Sequence, residues 1–145
     1  MPTLMFMLMM FCAGITVALQ PSINARLAQK VGILESACIS FAVGTVALLL
    51  VVLVSGRVGF RGAGGALWWE WTGGLLGALF VSTTIVAVPR IGTAAAMAAT
   101  IAAQLMTGIL LDHFGLFGLK QVPFDLKRLA GMLLLLAGAA LVFRR

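Results

Sequence analysis

Charge is scarce in this sequence of 145 residues: 10% are Asp, Glu, Lys or Arg, where soluble domains carry about a quarter. Acids number four and histidine one, which removes most catalytic chemistry. No two carboxylates fall within reach by spacing, and the chain has no P-loop, no HExxH helix and no GxSxG elbow. Enzyme function is not expected, and no cofactor or metal site is implied. Cys12 and Cys38, both inside apolar runs, fit neither a disulfide framework nor a zinc site and read as small packing residues. Long polar stretches are missing as well, so residues 1–145 read as a single transmembrane domain with no soluble one beside it. No Lys or Arg precedes the first apolar run, MPTLMFMLMMFCAG. The basic n-region of a signal peptide is therefore lacking, and this run is expected to stay as a span.

What is present is apolar. A hydrophobic content of 62% and a mean hydropathy of +1.15 describe an integral membrane protein, surrounded by membrane lipids. A hydrocarbon core of about 30 Å takes roughly 20 apolar residues per helix, and five runs qualify, near 3–20, 33–54, 68–88, 91–111 and 128–143. Backbone in lipid must satisfy its own hydrogen bonds, and the alternation of barrel strands is absent. The fold class predicted is an all-α bundle of five transmembrane helices. Short connections join them: a segment with Arg26 and Lys30, then SGRVGFRGAGG, then PRIG, then the stretch from His113 to Lys127. Trp68, Trp69 and Trp71 head the third helix as an interfacial aromatic belt would, and Trp71, the deepest, is also a candidate pocket wall.

The net charge of +6 comes from scattered residues with no basic face, so nucleic acid is not an expected partner. Counted by side, Arg57, Arg61, Lys120, Lys127 and Arg128 face Arg26, Lys30, Arg90, Arg144 and Arg145, five against five. Lys and Arg in short loops orient a membrane protein, and a tie permits insertion both ways. Two oppositely inserted copies would pair as an antiparallel homodimer and reproduce the symmetry of inverted-repeat transporters. The other reading of the tie is a partner chain that sets the orientation, giving a heterodimer.

Polar side chains in the membrane are costly and are the first places to look for function. In the fourth helix Thr93, Thr100, Gln104 and Thr107 line one face, with Gln104 near mid-bilayer; such a face serves a solute pocket or glues helices rich in Ala. Ser36, Ser40 and Gly44 form a small-residue seam whose ordinary meaning is packing. Ser82, Thr83 and Thr84 are able to bond back to their own helix, and Thr83 joins the candidate site. Gln20 and Asn24 are four apart around Pro21, which removes one rung of the helix ladder; this is a polar break in a span, or simply the end of helix one. Among the acids, Glu35 at the start of helix two suits the helix dipole. Asp112, beside His113 at the end of helix four, is with Glu35 a candidate for ion coupling. Glu70 and Asp125 read as solvated.

Five stretches carry a resemblance: GITVALQPSINARLAQKVG, ISFAVGTVALL, WWEWTGGLLGALFVSTTIVAVPRIGTA, QLMTGILLDHFGLFGL and RLAGMLLLLAGAALV. Together they resemble the YdcZ-like branch of the drug/metabolite transporter superfamily over nearly the whole chain. The resemblance implies a five-helix unit equal to half of a ten-helix inverted-repeat transporter, in the bacterial inner membrane. It also raises Gln20, Pro21 and Asn24 from a helix end to a site or gating element, and does the same for Gln104, Asp112 and His113. Gly131 and Gly138, seven apart, are similar to the dimerising last helix of small multidrug-resistance transporters, although packing alone explains them. One departure counts against copying the exchange mechanism of those relatives: no acid precedes Glu35, whereas they depend on a Glu in helix one.

The function expected is a small secondary transporter that works by alternating access across an antiparallel homodimer. Its neutral polar pocket would draw on Gln20, Asn24, Gln104 and nearby Ser and Thr, and suits a small polar or amphipathic solute. The alternatives are a non-transporting membrane subunit whose polar faces hold helices or a partner, and a cation exporter in which Asp112 or Glu35 titrates on binding.

Overall fold

The computed structural model describes residues 2–56, 59–118 and 120–143. Among them are five helices long and apolar enough to cross a membrane: α1 (Pro2–Val31), α2 (Ile33–Val54), α3 (Gly73–Ile91), α4 (Thr93–Phe114) and α5 (Leu126–Phe143). No strand occurs among the described residues, and the all-α membrane fold holds. The five-against-five charge balance includes Arg57, Arg144 and Arg145, which lie outside the described residues. The chain divides into two compact units, Met1–Arg90 and Ile91–Arg145.

In the first unit, helix one corrects the sequence reading. It does not end at residue 20 but runs through Pro21 to Val31, so the expected first loop shrinks to Gly32. Thirty residues at 1.5 Å each make about 45 Å, more than the hydrocarbon core, and a length criterion for spans stops too early. The continuation has its own cause. Pro21, Asn24, Ala25 and Ala28 recur at helical spacing and are buried or half-buried, while Arg26 and Gln29 stay outside, the Arg26 guanidinium donating to Gln29 Oε1 at 2.9 Å. This is an amphipathic stripe of small residues on good helix formers. At Gly32 the backbone turns to φ 105°, a region open only to glycine, and α2 folds back along α1.

The core of this unit is Ala37, Val81 and Ile85, with Ala28 and Phe80 packed against it. On α3 the buried set Val81, Thr84, Ile85 and Val88 again has helical spacing. A 3₁₀ turn over Trp68–Thr72 precedes α3, where a continuous helix from residue 68 was expected. Glu70 starts that turn: its carboxylate accepts the Leu67 N–H at 2.6 Å and its own N–H donates to the Leu67 carbonyl at 3.0 Å. The PRIG connection is likewise shorter than expected. Helix α3 continues through Pro89 to Ile91, with the Arg90 guanidinium donating to the Val86 carbonyl at 2.8 Å, and only Gly92 at φ 85° interrupts the chain.

The second unit is a hairpin of α4 and α5. Gly115, left-handed at φ 59°, ends α4 as a glycine C-cap does. The following loop folds back on that end: the Val122 N–H donates to the Asp112 carbonyl at 2.8 Å, Gln121 to the His113 carbonyl at 2.9 Å, and the Phe124 N–H to His113 Nδ1 at 3.1 Å. Asp125 then caps α5, its carboxylate accepting the Arg128 N–H at 2.7 Å.

Candidate functional site

The α1 residues of the predicted site are largely taken up by packing. Asn24 is 5% exposed; its amide donates to Ser40 Oγ on α2 at 3.2 Å, and its backbone carbonyl accepts from Ser36 Oγ at 2.8 Å. Ser36 and Pro21 are fully buried. Hydroxyls and an amide thus join two helices, and the seam expected of Ser36 and Ser40 is a seam to α1. Gln20, half-buried, is one turn before Asn24 on α1. Gly44 is exposed, with open space where a Cβ would stand.

The other first-unit candidates stand apart from this seam. Trp71 is 64% exposed at the 3₁₀ turn. Thr83 is exposed and donates to the Leu79 carbonyl of its own helix at 2.8 Å, as back-bonding hydroxyls do. Glu35 sits in the first turn of α2, folded over Gly32: a Cβ on that glycine would run into its carboxylate. A groove of 280 Å³ lined by Ala25, Ala28, Gln29, Ile85 and Arg90, among others, contains none of the predicted site residues.

The second unit does bring predicted residues together. A groove of 430 Å³ between α4 and α5 has Gln104, Asp112 and Gly131 in its wall, with Arg128 beside them. Arg128 Nη1 donates to Asp112 Oδ2 at 2.9 Å, and the two side chains are 31% and 42% exposed. Gln104 stands eight residues before Asp112, about 12 Å along the helix. Leu105, Ile109, Met132 and Leu135 supply the apolar surface between them. Thr100, half-buried, and Thr107, exposed, are on α4 but do not line this groove. Gly138 lines a neighbouring groove against Ala98, Ile101 and Ala102. At both Gly131 and Gly138 a Cβ would meet nothing within 4 Å.

Arg128 is the residue that sequence reasoning missed, having been counted only for topology. Its sequence signal is a cation opening α5 while an acid closes α4, the two helices joined by a tight connection. Opposite charges at the same end of a hairpin are within reach of one another. The groove therefore offers a cation, an anion, an uncharged amide and an aliphatic floor within one small concavity, the mixture by which ligand sites fix orientation and supply affinity.

The family model described as "Putative inner membrane exporter, YdcZ" matches residues 5–141. Inner membrane protein YdcZ of Escherichia coli (strain K12) is 32% identical over 142 residues, spanning 94% of this chain and 93% of that protein. No solved structure matches the chain. Exporters of this kind are not an enzyme family, and the five apolar helices agree with a multi-pass inner membrane protein. With a family match over nearly its whole length and five spans in place, the chain belongs to the YdcZ family of inner membrane transporters.

Proposed function

We propose that the protein is a small secondary transporter that carries a small polar or amphipathic solute by alternating access, two copies pairing antiparallel to make a ten-helix unit. The observation that carries this reading is the α4–α5 groove, where Gln104 shares one wall with the Asp112–Arg128 pair. An amide donates and accepts without adding charge, and the ion pair beside it is neutral overall. A solute is held there by directed hydrogen bonds over an aliphatic surface, weakly enough to leave on the other side. The balanced Lys and Arg count supports the antiparallel pairing, since neither orientation is favoured.

The test is release of solutes from cells that express the chain, followed by mass spectrometry of the medium. Gln104→Leu, at equal abundance and with the same cross-linked dimer yield, is expected to abolish the release that the unmodified chain supports. Normal release by that variant would remove Gln104 from the site. The Asn24–Ser40 bond favours a second reading at α1, in which amides hold helices together and do not touch solute; there Gln20→Leu would reduce assembly and leave flux per dimer unchanged.

A further inference from the structure

The charges in the α4–α5 groove restrict what it can hold. Arg128 spends one N–H on Asp112 Oδ2, leaving the rest of its planar fork of donors for another acceptor. Asp112 Oδ1 accepts no hydrogen bond among the described residues. Both side chains are partly open to the groove. A lone anion on the remaining Arg128 donors would set a second negative charge beside Asp112, and a lone cation on Asp112 Oδ1 a second positive charge beside Arg128, so either leaves the groove with a net charge over an apolar surface. A ligand with one charge of each sign meets both side chains and leaves the groove neutral.

Geometry narrows the class further. The two protein charges are in direct contact at 2.9 Å, so the two ligand charges must also lie within a few Å of each other. Beyond the pair, Leu105, Ile109, Met132 and Leu135 run toward Gln104 and provide for an aliphatic chain. We propose that this groove binds an amphipathic zwitterion with adjacent ammonium and acidic groups, the acid on Arg128, the ammonium on Asp112 and the chain along α4 and α5. An aliphatic α-amino acid has this chemistry, and so does a phosphatidylethanolamine headgroup. The inference rests on the transporter reading and deepens it by naming its solute class.

The experiment is isothermal titration calorimetry on the full chain in dodecyl maltoside, a detergent without charge. Four soluble probes are compared: 2-aminohexanoate, its isomer 6-aminohexanoate with the same charges set far apart, hexanoate and hexylamine. The expected result is at least about tenfold tighter binding of 2-aminohexanoate than of the other three, the worth of one hydrogen bond to a charged group. Equal binding of the two isomers, or of either singly charged probe, would overturn the proposal. Dioctanoyl phosphatidylethanolamine is the second arm: binding of that lipid while 2-aminohexanoate fails assigns the same two contacts to a headgroup, and failure of both overturns them. Because Arg128→Gln alone strands Asp112, the double variant Asp112→Asn/Arg128→Gln keeps a pair able to hydrogen-bond without charge. It is expected to fold and to lose the preference between isomers; retention of that preference would also refute the assignment. Calorimetry needs no flux, so a protein that binds 2-aminohexanoate and moves nothing would refute transport alone. A working exporter that ignores both zwitterions would refute this inference alone.

Discussion

Replacing Asn24 and Ser40 by alanine, singly and together, measures the hydrogen bond between their side chains, which ties α1 to α2 through the polar element around Pro21. The Nδ2–Oγ separation of 3.2 Å is at the long end of the range for such bonds. Interhelical hydrogen bonds in membrane proteins average about 0.6 kcal/mol and reach about 1.7 kcal/mol, so a coupling of roughly 0.5–1 kcal/mol is expected from the cycle. The single changes are unequal. Ser40→Ala loses the bond and little else, whereas Asn24→Ala also opens a void at a position 5% exposed, and a total of about 1–3 kcal/mol follows. Ser36 keeps its bond in every variant, because it donates to the Asn24 backbone carbonyl and not to the side chain. Reversible unfolding in mixed micelles with increasing dodecyl sulfate, followed by helicity, reads all four free energies. Single effects that add to within about 0.3 kcal/mol would show that the bond contributes nothing. Loss of solute release by Asn24→Ala at unchanged stability would place this amide against solute and refute its assignment to packing.

Gly32→Ala is expected to cost about 1–3 kcal/mol in the same assay, since φ 105° belongs to glycine and the new methyl group meets the Glu35 carboxylate. Gly44→Ala, with nothing near its Cβ position, is the matched control and should be neutral or slightly stabilising. Reporters fused after Arg145, one active only in the cytoplasm and one only outside, are expected to give signal from both sides if the charge tie produces dual insertion. Signal from one side alone would remove the antiparallel homodimer and require an oppositely oriented partner chain.

The five spans and their helical nature are legible from sequence because both depend on composition over a window about as long as the bilayer is thick. Glu35 in the first turn of α2 and back-bonding by Thr83 depend on neighbours within a turn or so, and these too could be read locally. The continuation of α1 past Pro21 could not. Its stripe consists of small residues that register weakly as hydrophobic, and its reason to stay helical is the surface of α2 and α3 that it covers. The partner of Asn24 lies 16 residues away, as does that of Asp112. No periodicity within one helix announces a bond to another. Gln104, Asp112 and Gly131 were each singled out from sequence, but only the folding of α5 against α4 brought them to one groove and added Arg128. Hydropathy decides which segments enter the lipid; which of their polar groups meet is decided by helix packing, because side-chain contacts between helices depend on rotation and register that the linear order leaves open.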